Sequence, residues 1–166
     1  MKLKYENLTL TKEELENIPR RDPYNVVGLF VKLLVTYDPK KENEFYEKLQ
    51  FLQGDFQPLS ALMKQNIKDR MLQNDKYSYI GKSYFLGATP ENDYTPSVPY
   101  ELEISENAYS DGEEGIKKLF VKSGGADSLR GVMVRLAKDG NYYIWSDSFM
   151  GLLSDIRMVE SKNPWA

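Results

Sequence analysis

Between Asp22 and Pro39 the chain reads PYNVVGLFVKLLVTYD, apolar almost all the way round a helix, and such a helix cannot lie at a half-wet surface. Asp22 is an N-cap and Pro23 occupies the first helical position, where its missing N–H costs nothing. Asp38 and Pro39 close the segment. Val26, Val27, Phe30, Val31, Leu34 and Val35 must therefore be enclosed by neighbours, and everything else in the chain is read for what encloses them. At 166 residues the chain has the size of one domain, residues 1–166, able to bury about two-thirds of its unfolded surface.

Three further helices flank this one. Thr11 and Glu14 have the spacing of a capping box, opening a short helix that Pro19 ends. Residues 41–53 place Phe45, Leu49 and Leu52 on one face and end at Gly54, and a fourth helix opens at Pro58–Ser60 with Leu59, Leu62, Met63, Ile67 and Met71 at helical spacing. From Lys76 the texture changes. KYSYIGKSYF alternates aromatic and polar residues and predicts a short strand, and LGATPENDYTPSVPY, with its prolines, predicts an extended loop. ELEIS, IKKLFVKS, GVMVRLAK and NYYIWS follow as strands, the last two joined at Lys138-Asp139-Gly140-Asn141 by a tight turn with positive φ at both central residues. A helical turn is expected over Phe149–Leu153, and Trp165 is expected to dock on the body. The expected fold is α+β: about four helices in a helical half, 1–75, packed on an antiparallel meander of about four to five strands in a sheet half, 76–166.

Composition removes whole classes of function. There is no cysteine, hence no disulfide, thiolate nucleophile or Cys-bound metal, and no histidine, hence no Ser-His or Cys-His pair. No cofactor or metal is expected, and catalysis would fall to carboxylates, Lys, Tyr or Arg. The net charge of −3 comes from interspersed acids and bases, which argues against nucleic acid as a partner, and no apolar stretch is long enough to span a membrane. A cytoplasmic protein is expected.

Several groups of residues could carry a function. In Ser123-Gly124-Gly125-Ala126-Asp127-Ser128-Leu129-Arg130 the paired glycines could open backbone N–H groups as an anion nest beside Arg130, or the loop could be a hairpin connection in which Asp127 and Ser128 bond local backbone and Arg130 pairs with Asp127. Arg135 and Arg157 sit among apolar residues, as pocket-directed groups or as stems laid along a sheet. Glu101 and Glu103 share a strand face, and Asp111, Glu113 and Glu114 form an acidic turn without the spacing of a cation loop. Tyr and Trp concentrate in the second half, as they do at contact surfaces.

Beyond these patterns, YSYIGKSYFLGATPENDYTPSVPYELEI, LFVKSGGADSLRGVMVRL, YYIWSDSFMGLLSDIR and the terminal NPWA resemble an uncharacterised bacterial family of anaerobic Firmicutes, over Asp22 to Ala166. Its markers are the SGGADS-x-R loop and an Asp/Asn-Pro-Trp-Ala terminus. Leu129 here stands where the family often has Pro, and Asn163 where Asp is common. As a domain of unknown function, the family implies no reaction, only that the distinctive residues lie from Tyr77 onward. Two functions follow as expectations. One is a non-catalytic binding or protein-interaction module, contacting its partner through the aromatic sheet, the Ser123–Arg130 loop (Ser123, Gly124, Gly125, Asp127, Ser128 and Arg130), Arg157 and Trp165. The other is a small enzyme or sensor that holds an anionic ligand between helices and sheet through Arg130, Arg157 and a carboxylate.

Overall fold

A computed structural model describes all residues, Met1–Ala166. Four α-helices, α1 (Lys12–Asn17), α2 (Pro23–Val35), α3 (Glu42–Gln53) and α4 (Ala61–Leu72), pack on a five-stranded antiparallel curled sheet in the order β1-β2-β3-β4-β5. The strands are β1 (Lys2–Tyr5), β2 (Tyr100–Ser105), β3 (Ile116–Val121), β4 (Arg130–Leu136) and β5 (Tyr142–Ile144). The fold is α+β, helices against an antiparallel sheet, as the order of elements predicts.

The apolar helix is central. Asp22 Oδ1 accepts from the Tyr24 N–H at 2.9 Å and caps α2, whose Val26–Leu34 run is buried throughout. Leu102, Ile104, Leu119, Val121, Val132, Val134 and Ile144 line the sheet's inner face and join α2 in one continuous core that α3, with Phe45, Leu49 and Leu52, closes from the far side. Phe30 meets Phe149 at 5.5 Å between ring centroids, which brings the helical turn over Ser148–Leu153 into the same core. Leu62, expected on the apolar face of α4, is exposed, while Ile67 and Met71 are buried.

Three local expectations are corrected. Lys2–Tyr5, inside the half expected to be helical, forms edge strand β1, with Lys2 opposite Glu103 and Lys4 opposite Glu101. KYSYIGKSYF is not a strand but two 3₁₀ turns, Gln73–Ser78 and Lys82–Tyr84. Its buried side chains, Lys76, Ile80, Ser83, Tyr84 and Phe85, do not keep the alternation that a half-buried strand requires. The β4–β5 hairpin forms, but its turn is longer than expected. The Gly140 N–H donates to the Ala137 carbonyl, the Ala137 N–H donates to the Asn141 carbonyl, and of the turn residues only Gly140 has positive φ, at 83°. This is a type I turn followed by a glycine bulge. Asp139 stays at negative φ while its carboxylate accepts from the Asn141 N–H and from the Tyr143 hydroxyl at 2.5 Å.

Edge strand β5 is shut by side chains. Gln57 donates to the Ile144 carbonyl at 2.8 Å and accepts from the Ser146 N–H at 2.8 Å, which makes its amide a one-residue substitute for a neighbouring strand. Gln53 adds a bond to the Ser146 carbonyl at 2.6 Å.

Candidate functional site

The last part of the chain, residues 152–162, runs as a strap across the end of the molecule, and Gly124, Gly125, Asp127 and Arg130 of the glycine-rich loop meet it. Its main chain is gripped by side chains. Tyr84 donates to the Leu152 carbonyl at 2.5 Å, Lys76 to that of Leu153 at 3.1 Å, Arg130 to those of Ser154 and Asp155, and Tyr94 to that of Arg157. The Arg157 N–H donates to the Gly125 carbonyl at 2.9 Å, and Ser161 reaches Asp93 at 2.7 Å.

Ser123, Gly124 and Gly125 are the floor under these clips. Ser123 is buried, donates to Ser83 Oγ at 2.8 Å and accepts from the Gly125 N–H at 3.1 Å. The Gly124 N–H donates to the Ser83 carbonyl and that of Ala126 to the Ser123 carbonyl, so the donors that would line an anion nest are engaged inside the protein. Gly124 and Gly125 are required for close approach. A Cβ on Gly124 would collide with the Ala88 carbonyl, and one on Gly125 would lie 2.7 Å from Ile156 Cβ.

Asp127 pairs with Arg157 at 3.0 Å, not with Arg130, and Arg157 also donates to the Gly124 carbonyl. Arg130 lies behind the strap, 3.0 Å from the Tyr84 hydroxyl. Ser128 is exposed at the loop's tip. Trp165 does not dock: it is 92% exposed, and its N–H donates to Asn163 Oδ1 in a turn that directs the ring outward. The space between α2 and the sheet is filled by the buried core.

A cleft of about 460 Å³ opens instead between the turn at Gln73–Tyr79 and the strap. Lys76, 6% exposed, has its Nζ 2.7 Å from Asp155, and this hydrogen bond holds the Asp155 carboxyl below its ordinary range. Arg157 and Lys162 line the strap side, Asp75 and Tyr79 the other, with Ile156, Met158 and Val159 as an apolar wall. Lys162 lies 5.4 Å from the Tyr79 ring centroid. Asn74 and Asp75 in one wall, and Asp93 and Tyr94 beneath the strap, hold left-handed backbone with φ between 53° and 56°. Such conformations are costly for residues other than glycine and persist where the surroundings over-determine them.

Of the residues expected to bind, then, Arg157 faces the cleft, Ser123, Gly124, Gly125 and Arg130 support its wall, and Ser128 and Trp165 lie apart. Tyr79 belongs to the aromatic residues read as a contact surface, whereas Lys76, Asp155 and Lys162 are not marked by the sequence. Nothing in the spacing of KYSYIGKSYF marks Lys76 as buried. Among the charged groups singled out elsewhere in the sequence, Glu101 pairs with Lys4 at 3.7 Å, Arg135 with Glu114 at 2.9 Å, and Asp111 with Lys117 at 3.4 Å. No group of three Asp or Glu side chains could hold a metal ion, and no helix is long and apolar enough to cross a membrane.

The architecture defines a small α+β domain with a strap-walled cleft. The chain belongs to a family described as a domain of unknown function (DUF6935), which matches residues 7–160 and so takes in the loop and most of the strap but stops before Ser161, Lys162 and the terminal Asn163-Pro164-Trp165-Ala166. Neither a curated protein nor a solved structure matches the chain.

Proposed function

We propose that this chain is a non-catalytic binding module that holds a small anionic ligand in the cleft between the Gln73–Tyr79 turn and the strap. The observation that carries this reading is the nearly buried ammonium of Lys76 at the cleft floor, with Arg157 and Lys162 on the wall beside it. Against these stand Asp75 and Asp155, and Asp155 is already held by Lys76. A carboxylate or phosphate entering the cleft would meet charge-assisted donors, while Ile156, Met158 and Tyr79 would cover an apolar portion of the same molecule. The cleft volume falls within the range of small-molecule sites, about 300–1,000 Å³. The absence of His and Cys favours retention over turnover.

The test is thermal unfolding in the presence of phosphate, dicarboxylates, sugar phosphates and nucleotides. A ligand raises the melting temperature by several degrees at saturation, and Lys162→Glu, a change at the cleft rim, cancels the rise. No rise with any of these compounds overturns the proposal, as does a rise that Lys162→Glu and Arg157→Gln both leave intact.

A further inference from the structure

We infer that the outer face of strands β3–β5 docks an acidic peptide segment with an apolar anchor residue, a partner separate from the ligand of the cleft. In a chain of net charge −3, the outward positions of these strands include Lys118 and Arg135 and no Asp or Glu. Lys118 and Arg135 lie on the face turned away from the core, and the exposed Lys122 follows in the same alternation. Phe120, Met133 and Trp145 stand half-buried between them.

At one end of this face Phe56, Arg135, Leu136, Tyr143 and Trp145 surround a hollow of about 150 Å³. Phe56 forms its rim, 63% exposed and edge-on to Tyr143 at 5.0 Å. Large side chains at the rim of an apolar hollow are the usual receivers of a partner's anchor. The size suits one aliphatic side chain.

The charge of the face selects the rest of the partner. Arg135 already takes a carboxylate, that of Glu114 from the β2–β3 connection, and this exposed pair contributes little, so a partner's carboxylate replaces it at small cost. Nucleic acid fits less well, because the rings that would stack on bases carry the protein's own cations: Lys118 lies 5.5 Å from the Phe120 centroid and Arg135 4.4 Å from that of Trp145. Strand addition at β5 is blocked by Gln57, so the segment lies across the face and is recognised by side chains.

The experiment uses the full chain and a fluorescein-labelled peptide alternating Glu and Leu, read by fluorescence anisotropy, beside Lys–Leu and Glu–Gln counterparts and an oligothymidylate. The Glu–Leu peptide binds, the Lys–Leu peptide does not, and the Glu–Gln peptide binds about tenfold more weakly for want of its anchor. Lys118→Glu, at an exposed position, weakens the Glu–Leu peptide about tenfold, and Phe56→Ser does so with less dependence on salt, both at unchanged melting temperature. Lys162→Glu, in the cleft, leaves peptide binding untouched, which separates this proposal from the small-ligand reading. The inference is overturned by absence of Glu–Leu binding, by equal binding of the Glu–Gln peptide, by insensitivity to both face variants, or by tighter binding of the oligothymidylate.

Discussion

Lys32 lies on the most apolar helix of the protein, 2% exposed, with its ammonium 2.6 Å from Glu14 and 4.6 Å from the Tyr5 ring centroid. Desolvating that charge is costly and the partner offsets it, so the two halves of the pair respond differently to substitution. Glu14→Ala leaves the buried ammonium without its carboxylate and destabilises by about 1–3 kcal/mol, moderated because Glu14 is partly solvated. Lys32→Met stays within about 1 kcal/mol of the parent or exceeds it. Urea titration of both variants checks the asymmetry. At Gly124 the substitution to Ala, which ordinarily stabilises by restricting the unfolded chain, instead drives a methyl into the Ala88 carbonyl and costs about 1–3 kcal/mol by the same measurement. Asp155 contributes to the pH dependence. Its carboxyl is held low by Lys76, so its contribution is complete above about pH 4, the unfolded carboxyl value, and is lost as pH falls through the lower folded value. Asp155→Asn therefore shows its full loss of stability at neutral pH and converges on the parent as pH falls through the lowered carboxyl value; a constant gap would dismiss the contact.

Elements with a long apolar period or a distinct local signal, such as the Thr11–Glu14 capping box of α1, are legible in the sequence, and others are not. The Asp22–Pro23 start and the apolar run of α2 were unambiguous because cap, first-turn proline and burial agree. β1 was missed because four residues carry too little period, although its Lys-Leu-Lys is the charge complement of the Glu-Leu-Glu it pairs with in β2. KYSYIGKSYF, residues 76–85, reads as a strand because its aromatic side chains alternate with polar ones, whereas its buried side chains, Lys76, Ile80, Ser83, Tyr84 and Phe85, do not alternate. The cleft was illegible for a related reason: its two walls are some eighty residues apart in the chain, joined by clips that involve backbone carbonyls, which leave no trace in residue identity. At β5, Gln57 stands in for a strand. Gln57→Ala leaves the Ile144 carbonyl and the Ser146 N–H without partners, which costs about 1–3 kcal/mol and opens the edge to concentration-dependent association visible by light scattering.

Across the whole molecule, burial of tyrosines sets the response to alkali. Burial pushes Tyr84, Tyr94 and Tyr46 up to about 12, and Tyr5 and Tyr37 are raised as well. The folded chain keeps these protons while the unfolded chain releases them near pH 10, so stability is complete below about pH 10 and falls as pH rises through the folded values. Tyrosinate absorbance should therefore contain a fraction that appears only together with loss of the circular dichroism of the fold. A titration finished near pH 10 with the fold intact would contradict the burial. Trp165 makes the opposite case: exposed as it is, Trp165→Ser leaves the melting temperature unchanged. The strap has a consequence for how this protein can diversify. Tyr84, Lys76, Arg130 and Tyr94 hold five carbonyls of its main chain, and a carbonyl is the same at every residue. Substitutions at Met158 or Lys162 would therefore change the wall of the cleft while the path of the strap persists.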